Sequence, residues 1–205
     1  MGLGISVGML ADLMENDEEG AEWFREELDT LNAVLQQNGL PGHTEPESIE
    51  EFMPSGIDSF PYSFLHYLRR AYVCVRKGIE LRQGEFTDDD ERLIDEFTNA
   101  NLDSHLLVHS DAEGYYVPQD FPEPVSDDNL TGGFAGSTQR LMGELQQAAP
   151  ALGIRLEGGK LPEDERNRLA EIDEDDPFER EHIVWLTLWE AAEHSLKHNS
   201  LIVFG

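Results

Sequence analysis

Two pairs of histidines have the spacing that a metal site on a helix requires. Within each pair the residues are four positions apart, so both imidazoles would project from the same side of a helix, and a carboxylate stands near each pair. Imidazole and carboxylate ligands at this spacing can bind zinc or another divalent metal and leave one position open for water. The candidate ligands are His105, His109 and Asp111 in the first group and Glu190, His194 and His198 in the second. A metal-dependent helical enzyme, such as a hydrolase, is therefore one hypothesis.

The same histidines have a simpler interpretation, which we prefer. Neither pair carries the glutamate general base of the His-Glu-x-x-His motif. His194 and His198 would lie near the end of a helix, where a cation suits the helix dipole, while His105 and His109 would hydrogen-bond the neighbouring backbone. Ser110 lies between a base and a carboxylate, but neighbours in sequence do not make a catalytic triad. We therefore predict no catalytic residue and no cofactor.

The segment from 104 to 121, here called the elbow, joins a helix-like pattern to a strand-like one at Gly114. Tyr115 and Tyr116 begin the strand, and adjacent strand residues point to opposite faces, so one tyrosine should pack inward while the other is presented outward. Tyrosines with acidic neighbours are suited to contact a basic protein. The predicted partner contacts are Asp111, Glu113, Tyr115 and Tyr116 in the elbow, with Tyr62, His66 and Arg69 on the preceding helix as a second patch.

The elements around the elbow are predicted to be mainly helical. Apolar residues at three- and four-residue steps, with capping residues ahead of them, indicate amphipathic helices, the first with an acidic outer face. Helices are predicted near 16–38, 60–77 (capped by Ser59), 87–107 (as one helix or as two, because 99–104 is poor in helix formers), 138–149, 162–172 and 177–198, with one short turn near 48–54. Short strands near 115–118, 153–156 and 200–204 should form a small antiparallel sheet. The predicted fold class is mainly α (α+β), as a single globular domain over 1–205.

The charge of the chain is strongly one-sided. Asp and Glu number 43 against 14 Lys and Arg, which gives a formal net charge of -29. Such a surface repels nucleic acid and anionic membranes and favours basic partners. Three explanations are open, and we rank them in this order: solubility, including solubility in a saline cytoplasm; an inhibitor that docks on a basic enzyme; and a mimic of the nucleic-acid backbone.

These observations predict a non-enzymatic binding protein in the cytoplasm. No apolar run reaches the length of a membrane span, no basic segment precedes the apolar residues of the N-terminus, and the lone cysteine, Cys74, fits a reducing compartment. The expected partner is a basic protein, with no nucleic acid and no membrane bound. The sharpest form of this hypothesis is a toxin-neutralising, immunity-type inhibitor, and the metal-dependent enzyme is the alternative.

Overall fold

The computed structural model describes residues 2–49 and 59–205, and these form a mixed helical and sheet structure. Its helices are α1 (Met9–Asn16), α2 (Glu18–Gln37), α3 (Phe64–Lys77), α4 (Asp88–Ala100), α5 (His105–Val108), α6 (Thr138–Ala148), α7 (Glu163–Ala170) and α8 (Glu179–His198). Its strands are β1 (Gly2–Val7), β2 (Ser59–Pro61), β3 (Gly114–Val117), β4 (Val125–Ser126), β5 (Phe134–Ser137) and β6 (Ile202–Phe204). The predicted α+β class is confirmed. The predicted turn near 48–54 extends outside the described residues.

The strands form one sheet in the order β2-β1-β6-β3-β5-β4. All neighbouring pairs are antiparallel except β3 and β5, which run parallel. The predicted antiparallel sheet is therefore corrected to a mixed one, because β5 was not among the predicted strands. After Phe134, its residues Ala-Gly-Ser are small and lack the β-branched and aromatic side chains that favour strands. Gly136 is nevertheless required there, since a Cβ atom would lie 2.5 Å from the ring of Tyr116.

Both faces of the sheet are covered, and each cover has its own hydrophobic cluster. On one face the sheet packs with α3, α6 and α8, around a core that includes the stacked rings of Trp185 and Trp189 with centroids 4.8 Å apart. On the other face α1 and α2 pack over Tyr115, Val117 and Val203. Alternation along β3 sends Tyr115 to the α2 side and Tyr116 to the α8 side. The molecule thus has three layers: an acidic helical layer, the sheet, and a larger helical layer.

Two predicted elements differ from the structure. The helix expected from Phe60 under a Ser59 cap begins only at Phe64, because residues 59–61 pair instead with β1, where Phe60 lies opposite Leu3. The strand expected at 153–156 is not formed. Gly153 there ends a 3-10 turn with φ of 65°, and only a single bridge between Glu157 and Lys160 follows. One strand-like run without a partner strand cannot satisfy its backbone by sheet pairing.

Candidate functional site

The two elbow histidines are buried packing residues. His105 is 1 % exposed, and its Nδ1 accepts a hydrogen bond of 2.8 Å from the backbone N–H of Ser137. His109 is 3 % exposed and stacks on Tyr116 with ring centroids 4.3 Å apart. Its ring nitrogens lie 3.0 Å from the carbonyl oxygen of Ser110 and 3.3 Å from that of Tyr115. Burial lowers the pKa of each imidazole to about 4, so both are neutral near pH 7.

The second histidine pair lies on α8. The rings of His194 and His198 are 4.5 Å apart, and the buried Glu190 is ion-paired with Arg166, which also bonds Glu193 at 2.6 Å. Across residues 2–49 and 59–205, no group of three or more His, Cys, Asp or Glu side chains is arranged to hold a metal ion. The two predicted metal sites therefore find no support in the geometry.

The elbow tyrosines are not surface contacts. Tyr115 is 3 % and Tyr116 is 1 % exposed, which corrects the expectation that one of them faces outward. The physical reason is that helices cover both faces of the sheet. Burial raises the pKa of Tyr115 to about 12 and that of Tyr116 further still. The Tyr116 hydroxyl donates a hydrogen bond of 2.9 Å to the carbonyl oxygen of His105. The Tyr115 hydroxyl donates one of the same length to the carboxylate of Glu27 on α2.

Arg69 also has a structural role rather than the predicted contact role. Its side chain is buried and donates to the carbonyl oxygens of Leu106 (3.0 Å) and His109 (2.6 Å) and to the carboxylate of Asp111. Three bonds from one guanidinium thus fasten the elbow to α3. His66 lies 3.4 Å from the same carboxylate and is partly exposed. Of the other predicted contacts, Glu113 is exposed and Tyr62 is half-buried.

A set of unpaired carboxylates lies on α2, in the helical layer that covers one face of the sheet. The apolar side of α2, including Phe24, Leu28 and Leu35, is buried against the sheet. Over residues 18–29, the side chains that fall within an arc of about 100° on the opposite side are all exposed carboxylates, as follows from 3.6 residues per turn. We call this set the acidic ridge, and it consists of Glu18, Glu19, Glu22, Glu26 and Asp29. None of the five makes an ion pair within the described part of the chain.

The sequence holds the ridge in place at both ends and in the middle. Asp17 caps α2 by accepting a bond of 3.1 Å from the N–H of Gly20. In the middle, Glu27 turns inward and accepts from Tyr115 and from Thr131 (2.6 Å). Toward the end of the helix, the Asn32 side chain donates a hydrogen bond of 2.9 Å to the carbonyl oxygen of His43 and accepts one of 2.6 Å from the backbone N–H of His43. The elbow therefore contributes to the site by anchoring α2.

On two other acidic helices of the described residues, ion pairs offset part of the negative charge. On α4, Asp89 pairs with Arg92, and the buried Asp90 faces both Arg70 and Arg82. Around α7, Arg155 pairs with Glu157 and Asp164. On α1 and α2 the one cation is Arg25, and it bonds Glu47 outside the helix at 3.2 Å. The ridge thus keeps its negative charge uncompensated.

The spacing of these charges resembles that of a nucleic-acid strand. From residue 18 to residue 29 the axis of α2 advances about 16 Å, at about 1.5 Å per residue. Six carboxylates, counting Glu27, and one arginine lie on this length. The net spacing is about one charge per 3.3 Å, against about 3.4 Å for one strand of DNA. Sequence reasoning recognised the acidic outer face of this helix but did not select it as a site.

The fold and this surface define an acidic α+β protein that presents a line of uncompensated carboxylates. A family model described as "Putative DNA-mimic protein" matches residues 1–204, and the chain therefore belongs to that family. Neither the comparison with curated proteins nor that with solved structures found a match.

Membership of this family corrects the leading functional hypothesis. The immunity-type inhibitor was wrong, as was its alternative, the metal-dependent hydrolase, because the family to which the chain belongs is described as a DNA mimic. We ranked that explanation last, since net charge alone does not separate it from solubility. None of the helices in the described part has both the length and the apolar character needed to cross a bilayer.

Proposed function

We propose that this chain is a non-enzymatic protein that occupies the nucleic-acid-binding surface of a basic protein. The acidic ridge stands in for the phosphates, and the partner's Lys and Arg side chains contact it. The observation that carries the proposal is the run of carboxylates on α2, which has the spacing of one strand and no ion pairs among the described residues. Membership of the DNA-mimic family supports it independently.

The rigidity of the ridge also favours this function. A partner that evolved to bind phosphates at fixed spacing gains most from charges that are already held in position. The anchoring bonds of Asp17, Glu27 and Asn32 keep α2 seated on the sheet without using any ridge carboxylate. Complementary charges at this spacing would speed association and make it sensitive to salt.

The proposal is tested by displacement of DNA from basic DNA-binding proteins. Each protein of a purified panel is loaded with a fluorescein-labelled duplex or oligonucleotide, and release is followed by anisotropy as the chain is added. We expect release from at least one panel member, with an affinity that falls as salt rises. Conversion of the ridge residues Glu19, Glu22, Glu26 and Asp29 to amides should weaken release by about tenfold or more.

A matched variant separates position from net charge. Converting Glu171, Asp173, Glu174 and Asp175 to amides removes the same four charges from exposed positions at and after the end of α7. This variant should release nucleic acid as well as the unmodified chain does. Equal weakening by the two variants would mean that net charge alone acts, and no release from any panel member would contradict the proposed function.

A further inference from the structure

One large aromatic ring lies exposed beside the acidic ridge. Trp23 is 54 % exposed, whereas Trp185 and Trp189 are 0 % and 1 % exposed. On α2 its neighbours one turn away are Glu19 on one side and Glu26 with Glu27 on the other. Within the described residues, no arginine lies over its face, although three other arginines do cover aromatic rings. A flat π surface is thus presented next to a line of negative charges.

An indole in this position has the chemistry of a nucleobase beside its phosphates. Proteins that bind single strands combine a basic groove, which follows the backbone, with aromatic or arginine side chains on which bases stack. Proteins that read a duplex instead contact base edges in a groove and phosphates on both sides of it. The ridge of α2 is a single row, and its charge density is that of one strand, about half that of a duplex.

We infer that the ridge and Trp23 together mimic a short single strand, and that the partner surface is a groove that binds single-stranded nucleic acid. This inference rests on the proposed function and narrows it. The length from residue 18 to residue 29, about 16 Å, corresponds to about five nucleotides of one strand, within the range that one single-strand-binding domain covers. Trp23 would stack on the groove residues that otherwise receive a base.

The test uses two kinds of probe in the displacement assay. One set contains OB-fold and RNA-recognition-motif proteins loaded with labelled oligothymidylate or oligouridylate, and the other contains helix-turn-helix repressors loaded with their duplex operators. We expect the chain to release single strands at lower concentrations than duplexes. Trp23→Ala should weaken that release by about 5- to 150-fold, the range for loss of one stacked base. Trp23→Phe, which keeps a ring, should recover most of it.

A second measurement and a control make the result specific. Because the other two tryptophans are buried, quenching by acrylamide reports on Trp23, and binding of the single-strand protein should protect it. Leu102→Ala removes another exposed apolar side chain, 66 % exposed, beyond the end of α4, and should change neither readout. Preferential release of duplex, or full release by Trp23→Ala without protection of Trp23, overturns the inference while the proposed function stands. Release of neither probe by the unmodified chain overturns both.

Discussion

Replacement of Glu22 by glutamine should stabilise the fold at low salt. Glu22 is exposed and lies three or four positions from Glu18, Glu19 and Glu26 on α2. Each like-charged pair at this spacing destabilises a helix by about 0.2–0.5 kcal/mol, while the opposite pair with Arg25 offsets a similar amount. Removing three repulsive pairs and one attractive pair should therefore raise the free energy of unfolding by about 0.5–1 kcal/mol.

Thermal unfolding at two ionic strengths measures this effect. For a chain of this size the change corresponds to a rise in Tm of about 1–4 °C at low salt. At about 1 M salt the Debye length falls to about 3 Å, so the difference between Glu22→Gln and the unmodified protein should nearly disappear. The same variant should weaken displacement of nucleic acid. Stability and binding would then change in opposite directions, as the proposed function requires of a charged binding surface.

Asp89→Asn on α4 is the matched control. Asp89 is also an exposed helical carboxylate, but it pairs with Arg92 and lies in the first turn, where negative charge is favourable. Its replacement should lower Tm slightly or leave it unchanged. The reasoning is refuted if Glu22→Gln lowers Tm at low salt, or if its effect is the same at both ionic strengths.

Three further predictions concern the groups that hold the site together. Glu27→Ala should lower the free energy of unfolding by about 2 kcal/mol, because the hydroxyls of Tyr115 and Thr131 lose their acceptor. This change is opposite in sign to the one expected for Glu22→Gln, and an unchanged urea midpoint would contradict it. Glu45→Ala should lower the free energy of unfolding by about 3 kcal/mol in urea titrations, since its carboxylate is 1 % exposed and binds a buried histidine at 2.6 Å and a backbone N–H at 2.9 Å. Between about pH 6.5 and 5 the urea midpoint should fall on acidification. Folding lowers the pKa of His105 and His109 to about 4, so the unfolded chain takes up protons at a higher pH than the folded chain does. The free energy of unfolding should therefore fall by up to about 1.4 kcal/mol per pH unit for each imidazole. A urea midpoint that does not change with pH in this range would contradict the prediction.

Local periodicity predicted the elements that carry the fold but not all of their partners. The spacing of Phe24, Leu28, Leu31 and Leu35 located α2, and the strands near 115–118 and 200–204 correspond to β3 and β6. Strand β5 escaped prediction because its small residues have little strand propensity. It exists because Gly136 lets its backbone approach the ring of Tyr116, a long-range contact that no local window contains.

The roles of the tyrosines illustrate a second limit. Alternation correctly placed Tyr115 and Tyr116 on opposite faces of the sheet, but it could not tell whether each face was covered. The cover over Tyr115 is α2, whose Glu27 is 88 positions away in the sequence. The exposure of a strand residue is therefore decided by the packing of elements that are distant in sequence. For this reason the strand pattern alone led us to predict Tyr115 and Tyr116 as partner contacts, although both are buried.

The position of the acidic ridge was accessible from the sequence through the distribution of its cations. Between Met1 and Leu68 the chain has fourteen acidic residues and a single Lys or Arg, Arg25, so the other thirteen cations all follow. An acidic surface needed only for solubility has no reason to exclude cations from one segment, since interspersed ion pairs leave the protein soluble. The exclusion of Lys and Arg from a segment is expected where the cations of a partner protein must pair with its carboxylates. Net charge alone could not rank mimicry above solubility, whereas the uneven distribution of cations, together with the exposure of the carboxylates on α2, favours a binding surface.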